Sequence, residues 1–283
     1  MMFETIKDRR RDGATTLRKL QLVQVYLLNI LDEICKKHRI SYFLTGGTLL
    51  GAIRHGGFIP WDDDIDVGML SSDYYQFKRI AKLELPQDVF FQDEDDMHNM
   101  CPCGKLRDQK SFFFNGNGSE RKYYGIPIDI FIYEKMPNLP GLIVSLLVMF
   151  RRGSYRRWYS LLNRQRRLVV LHVCDLVGAI WWRFIHLVSV LAWKALAFML
   201  KSECVHITPE TGFSDCRKLN DIFPLTTHVF EGEMLPVPVG WAKYLTRMYG
   251  DWRRIPPEKE RPSHSEFVIP VLEDIFAGIE CAS

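Results

Sequence analysis

The sequence predicts an α+β fold: a mixed sheet with flanking helices, interrupted by a helical insertion. Three observations carry this reading. Helix-period and strand-like segments alternate along residues 15–133. The composition breaks after Pro140 and becomes ordinary again from Thr208. The 283 residues, 47% hydrophobic and 25% charged, suit one large domain, or one domain plus an insertion, with a core that needs no disulfides.

The elements follow in order. Leu17, Leu20, Val23, Leu27, Leu28, Leu31 and Ile34 recur at three- and four-residue steps, so residues 15–38 form an amphipathic helix. Ile40–Leu44 is a short strand closed by Thr45-Gly46-Gly47. A second helix covers Thr48–Arg54, and Gly56 suits the left-handed residue that ends it. Ile65–Leu70 is the next strand, after which Ser71 or Ser72 caps a helix running to about Lys82. Phe90–Gln92, Gly104–Arg107 and Ile126–Tyr133 are strands, and Asn115-Gly116-Asn117-Gly118 is a turn signal. Phe223–Leu225 and Met234–Val239 are strand or loop, and Trp241–Tyr249 is a short helix stopped by Gly250.

Residues 141–202 differ from the rest. They hold ten basic residues against the single acid Asp175, a local charge of +9 in a chain whose total is +3. Leu142–Phe150 is apolar, Arg151–Arg167 contains seven arginines, and a long apolar pattern with Trp181, Trp182 and Trp193 follows to Leu200. Arg183, His186 and Lys194 interrupt that pattern, which is costly for a membrane span. Helices lying in a membrane interface, against an anionic surface, explain the arginines and tryptophans together. Packing on the domain itself and a true span are the alternatives. The organisation is therefore a catalytic core over 1–140, an insertion over 141–202, and a return to the catalytic domain over 203–283.

The small net charge argues for no particular partner, and no nucleic acid is expected. Seven scattered cysteines fit reduced thiols in a cytoplasmic setting, and Cys101-Pro-Cys103 lacks zinc-knuckle spacing. Met1–Gly13 has no apolar segment of the kind that makes a signal peptide or anchor.

The chemistry concentrates in Pro60-Trp61-Asp62-Asp63-Asp64-Ile65-Asp66. Strand residues two apart share a face, so Asp64 and Asp66 point together while Ile65 and Val67 point away. Paired carboxylates at a strand start suit Mg²⁺ or Mn²⁺, which take oxygen ligands; a solvated acidic turn is the alternative. Asp62 and Asp63 read as outer or solvent-facing acids. Gly46-Gly47, between a strand and a helix, fits a phosphate cradle made of backbone N–H groups, or a simple turn. Asp129 is an acid in an apolar strand and needs a metal or an ion-pair partner; as a functional group it would be a third ligand or a base.

Gly46-Gly47-Thr-Leu-Leu-Gly51-Ala-Ile-Arg54-His55, followed by Phe58-Ile-Pro60-Trp61-Asp-Asp-Asp64-Ile-Asp66, resembles the LicD family of bacterial phosphocholine transferases and fukutin-related proteins. Gly104-Lys105-Leu-Arg107, the Asp129 strand, Phe230-Glu231-Gly232, Tyr249-Gly250-Asp251-Trp252 and Pro256-Pro257-Glu-Lys259-Glu-Arg261 look like its later blocks. The resemblance spans roughly residues 18–265, apart from 141–202. It implies a nucleotidyltransferase-like fold and transfer of a phospho-alcohol, most readily phosphocholine, from a CDP-linked donor to a sugar hydroxyl of a cell-surface or lipid-linked glycan, with CMP leaving. Asp64, Asp66 and Asp129 would hold Mg²⁺ or Mn²⁺. Arg54, Lys105 and Arg107 would neutralise phosphate, and His55 would shape the same loop. Trp61 could face a choline cation or be structural. Lys259, Arg261 and His264 would line the site or brace the C-terminus. The protein would then work in the cytoplasm, peripherally on the inner membrane face. A non-catalytic scaffold for membranes or glycan enzymes, and a nucleotidyltransferase using NTP, are the competing readings.

Overall fold

The chain begins with a buried anchor. Arg10 donates to both oxygens of the buried Asp108 (2.6 and 2.9 Å), to Asp8 and to the Pro270 carbonyl. Helix α1 (Thr16–His38) follows, opened by Thr15, whose hydroxyl accepts from the Arg18 N–H at 3.1 Å, and closed by Arg39 at φ +56°. The computed structural model describes residues 3, 5–94, 96, 103–114, 125–167, 173–211, 216–261 and 267–274. The expected turn at 115–118, Cys101 and His264 lie outside these residues.

The elements after α1 are β1 (Phe43–Leu44), α2 (Gly46–His55), β2 (Asp66–Leu70), α3 (Ser71–Glu84), β3 (Val89–Gln92), β4 (Gly104–Asp108), β5 (Phe112–Phe114) and β6 (Pro127–Lys135). Then come α4 (Gly141–Arg167), α5 (Val173–Met199), β7 (Cys204–Ile207), β8 (Cys216–Lys218), α6 (Leu219–Ile222), β9 (Leu225–Phe230), β10 (Glu233–Pro238), α7 (Trp241–Tyr249) and β11 (Phe267–Ile269). Helices and strands interleave as an α+β fold. They form two compact units, Met1–Ile132 with Asp221–Ser283, and Tyr133–Asn220.

In the first unit the strand order is β1-β2-β6-β4-β3. The pairs β1–β2, β4–β6 and β3–β4 are antiparallel, with Lys105 opposite Asp129 across β4–β6. The core gathers Leu27, Ile30, Leu31 and Ile34 of α1, Leu49 of α2, Tyr74 and Phe77 of α3, and Val67, Leu106 and Ile128 of the sheet. Two smaller antiparallel pairs, β9–β10 and β5–β11, complete the unit.

Three boundaries depart from the sequence expectations. The strand after α1 is only Phe43–Leu44, because residues 40–42 form an approach segment without ladder bonds, in which Ile40 and Tyr42 are buried. Helix α2 starts at Gly46, so the two glycines form its first turn instead of preceding it. Neither Ser71 nor Ser72 caps α3: Leu70 holds the N-cap position and no side chain bonds there.

In the second unit the end of β6 pairs with β7, and β7 with β8. Helices α4 and α5 pack antiparallel. Arg157 lies over Trp182, Tyr155 meets His186, and Arg151 lies over Trp193, so the partner number rises on α5 as it falls on α4. The apolar run and the arginine-rich run expected as separate segments form one continuous helix, α4.

Candidate active site

The acidic loop between α2 and β2 is held by its main chain. Gln21 Nε2 donates to the Asp62 carbonyl (2.9 Å), and Gln24 Nε2 donates to the carbonyls of Asp63 (3.0 Å) and Pro127 (3.1 Å). Both glutamines are buried in α1. One helix therefore fixes the loop carrying Asp62–Asp66 and the start of the strand carrying Asp129. A second support comes from the β9–β10 turn. Glu231 accepts from the Phe58 N–H (3.2 Å) and from Arg18 (2.5 and 3.2 Å). Its carboxylate lies where a Cβ on Gly57 would intrude, 2.5 Å away, so residue 57 must be glycine for this contact.

The carboxylates meet the N-terminus of α2. The Asp66 N–H donates to Thr48 Oγ1 (2.8 Å), and the Asp129 N–H donates to the Ile65 carbonyl (2.8 Å). A Cβ on Gly46 would stand 2.8 Å from an Asp66 carboxylate oxygen, and one on Gly47 the same distance from an Asp62 oxygen. Gly46 also has φ +56°. Gly46 is thus favoured twice, by backbone conformation and by the close approach of Asp66, and Gly47 once, by the close approach of Asp62. Tyr244 of α7 closes the end, its hydroxyl accepting from the Gly46 N–H at 3.2 Å.

The electrostatics follow from this crowding. Burial, then Asp64, Asp129 and Asp62, hold the Asp66 carboxyl well above the usual carboxylate range, while Lys105 opposes them. Burial, with Tyr244 and the carboxylates of Asp66, Asp62 and Asp64, pushes the Tyr249 hydroxyl above the ordinary phenol range. Lys105 Nζ donates to both Asp129 oxygens, at 2.7 and 2.9 Å.

The structure brings Asp64, Asp66, Asp129, Gly46, Gly47 and Lys105 to one place. Asp64 precedes β2 instead of lying on it, yet its charge still reaches Asp66. Arg54 and His55 sit at the other end of α2. Arg54 donates to His55 Nε2 (2.9 Å) and to the Trp252 carbonyl (2.8 Å), tying the tail block to α2. Arg107 is 2% exposed, donating to Gln92 Oε1 (2.7 Å) and the Gly125 carbonyl (3.0 Å) inside the sheet. Arg261 lies 4.2 Å over the Trp61 ring, so a cation does occupy that face, and it comes from the chain itself.

Of the two readings of Asp62 and Asp63, outer acids or solvent-facing ones, the solvent-facing one is corrected: both are buried, at 7% and 2% exposure. The loop is pulled under α1 by the glutamine bonds, which turns these acids inward. Gln21, Gln24 and Tyr244 carry no role in the sequence reading, and Tyr249 enters it only within the Tyr249-Gly250-Asp251-Trp252 block. For the glutamines a signal existed, two amides three apart among the apolar positions of one helix. For Tyr244 nothing local marked it.

The donor set fits a hard divalent cation. It offers carboxylate oxygens, their mutual repulsion is what a cation relieves, and the missing Cβ atoms at Gly46 and Gly47 leave the carboxylates room. Among the described residues no group of three or more His, Cys, Asp or Glu side chains encloses a cation position. Mg²⁺ commonly binds through one or two carboxylates together with substrate phosphates, and Asp64 with Asp66 provide that number.

A family profile described as LicD/FKTN/FKRP, nucleotidyltransferase domain, matches residues 39–141, which contain the whole carboxylate centre. The lipopolysaccharide cholinephosphotransferase LicD of Haemophilus influenzae is 31% identical over 274 residues, covering 88% of this chain and 96% of that protein. The chain belongs to the LicD family. The human ribitol 5-phosphate transferase FKRP is 42% identical over 57 residues, 20% of this chain and 11% of that protein. An uncharacterised protein of Rickettsia typhi is 36% identical over 85 residues, 30% of this chain and 26% of its own length. Because the LicD match runs nearly end to end, family membership extends well beyond the Gly-Gly and acidic blocks.

Proposed function

We propose that this protein is a metal-dependent phosphotransferase with a nucleotidyltransferase-like catalytic fold. It moves a phospho-alcohol, phosphocholine first among them, from a CDP-linked donor to a sugar hydroxyl of a lipid-linked or cell-surface glycan. The single observation that carries this reading is the crowding of Asp62, Asp64 and Asp129 around Asp66 at the N-terminus of α2. The near full-length likeness to a lipopolysaccharide cholinephosphotransferase supports the choice of phospho-alcohol, and the likeness to FKRP keeps ribitol phosphate in the donor panel.

Asp64 and Asp66 would hold Mg²⁺ or Mn²⁺, which when bound supplies positive charge against the donor diphosphate. The acceptor hydroxyl oxygen forms a bond to the phosphorus that carries the alcohol. The bond from that phosphorus to the CMP oxygen breaks, and CMP leaves with the electron pair. Asp129, oriented by Lys105, takes the hydroxyl proton. The amides at the start of α2 and the Lys105 ammonium offer positive potential to phosphate. Arg54 acts from the far end of α2 by fixing the 252–254 segment. In this reading the enzyme is cytoplasmic and peripheral, and it meets its acceptor at an anionic membrane surface.

The test is CMP release from CDP-choline, CDP-ribitol and CDP-glycerol with Mg²⁺ or Mn²⁺ and a panel of glycan acceptors. Consumption of one donor, abolished by chelation, supports the reading; no consumption of any overturns it. Pyrophosphate released from CTP or ATP would instead mark an NTP-using enzyme. Glycan modification that survives Asp64→Ala would mark a scaffold.

A further inference from the structure

The second unit is built inside out. Its interior holds charge: Arg151 pairs with Glu134 (2.7 Å) and Glu210 (2.6 Å), His186 lies 3.5 Å from Glu210, and all four are buried. The exterior of its α5 helix and of the start of α4 is apolar, although Arg156, Arg157, Lys201 and Glu203 are exposed elsewhere on the unit. Among the described side chains, every exposed residue of α5 from Leu176 to Met199 is apolar except Lys194. The inward positions of that helix, Ala179, His186, Trp193 and Ala197, follow steps of seven, seven and four residues. Ile180, Phe184, Leu187 and Leu191 fall on the opposite, open stripe. Only 17% of the apolar stretch is buried, and α5 is the one helix among the described residues long and apolar enough to cross a membrane. The first ten residues of α4 repeat the pattern, with Leu142, Ile143, Leu146, Met149 and Phe150 exposed.

Water-soluble units put charge outside and apolar side chains inside; the reverse arrangement is stable where the surroundings are hydrocarbon. A contiguous apolar surface of this kind marks a docking face. Its neighbours identify the partner. Residues 141–202 carry ten basic side chains and one acid, and the exposed Arg156 and Arg157 flank the apolar stripe. Cations beside an apolar face with tryptophans match an anionic bilayer, whose headgroups attract the arginines while its acyl chains accept the stripe.

The geometry also separates lying in a bilayer from crossing it. A crossing needs about 20 apolar residues per helix. The apolar part of α4 has ten, reaching about 15 Å. Beyond it, Arg157 stacks 5.0 Å over Trp182 and Arg183 stacks 4.4 Å over Trp158, which locks the arginine-rich half of α4 alongside the apolar start of α5. A crossing α5 would carry those cations into the hydrocarbon.

We infer that the α4–α5 hairpin is an in-plane membrane anchor, with the α5 stripe from Val177 to Phe198 in the acyl-chain boundary of an anionic leaflet and Arg156 and Arg157 of α4 at headgroup level. This goes beyond the transfer chemistry and does not depend on it.

Flotation of the full-length protein tests it, with vesicles of phosphatidylcholine alone and of phosphatidylcholine mixed with phosphatidylglycerol. Binding to the anionic vesicles, weakened about tenfold by high salt or by omitting phosphatidylglycerol, is expected. The variant Phe184→Glu/Leu191→Glu changes two open side chains; it should lose flotation at least about tenfold while its circular dichroism stays unchanged. An alkaline carbonate wash should release the bound protein. A folded protein that floats with neither vesicle overturns the inference. So does resistance to the wash, which marks a span, and so does a lipid-free dimer broken by the same variant without flotation, which marks a second copy as the occupant. CMP release with a soluble acceptor, measured without vesicles, reports separately on the chemistry.

Discussion

The two units use buried charge in opposite ways. In the first, like charges are forced together: Asp66 is surrounded by Asp62, Asp64 and Asp129, with Lys105 opposing them. In the second, opposite charges are matched, Arg151 lying between Glu134 and Glu210. Matched charge holds a structure together. Unmatched negative charge is a reservoir that a cation can relieve. The difference marks the first cluster as chemical and the second as architectural.

Several experiments can break or sharpen that contrast. The largest effect is expected from Asp64→Ala, which should lower CMP release on the order of 10⁴-fold with the fold intact by circular dichroism. Next, Arg151→Met strands two buried carboxylates and should cost about 3–5 kcal/mol in urea unfolding, with no direct effect on CMP release per folded molecule. An equal loss of activity per folded molecule would erase the distinction between the units. Gln24→Leu leaves the Asp63 and Pro127 carbonyls without their amide partner. It should cost about 1–3 kcal/mol and lower kcat more than it changes the donor KM, because it loosens the carboxylates rather than a substrate contact. Asp66→Asn should do the reverse for stability. Removing a crowded charge should stabilise the metal-free protein by about 1 kcal/mol, roughly 2–4 °C in Tm, while abolishing turnover.

The smallest effect concerns pH. Burial and the neighbouring Arg54 hold His55 below its ordinary value, and its Nε2 accepts from Arg54. The neutral ring is therefore favoured in the folded state. Its contribution is present above about pH 6.5 and is lost as pH falls toward the lower folded value. A modest loosening of residues 252–254 on acidification, seen by hydrogen exchange and absent in His55→Gln, is the expected sign.

Much of the architecture was legible in the sequence. The period of α1, the strands around residues 66–70, 89–92, 104–108 and 127–135, and the bounds of α7 follow from local pattern and turn chemistry. The nearness of Asp64 to Asp66 was legible too, although Asp64 lies ahead of β2 and not on it, as was the place of Gly46-Gly47 between a strand and a helix. Other features were not legible, because they depend on what lies across the fold. That Lys105 meets Asp129 follows from the register of β4 on β6. Arg107, expected to face phosphate, is enclosed by Gln92 and Gly125.

What the sequence alone determined is the inventory: four acids in five positions, a glycine pair that tolerates them, a family signature, and a basic, tryptophan-rich insertion. Only the tertiary structure decided orientation. It turned Asp62 and Asp63 inward, because α1 glutamines hold their carbonyls, and it turned the α5 apolar stripe outward, because the buried ion pairs take the inside of the hairpin. Periodicity shows that a helix has two faces; which face looks outward depends on the partners that long-range packing supplies.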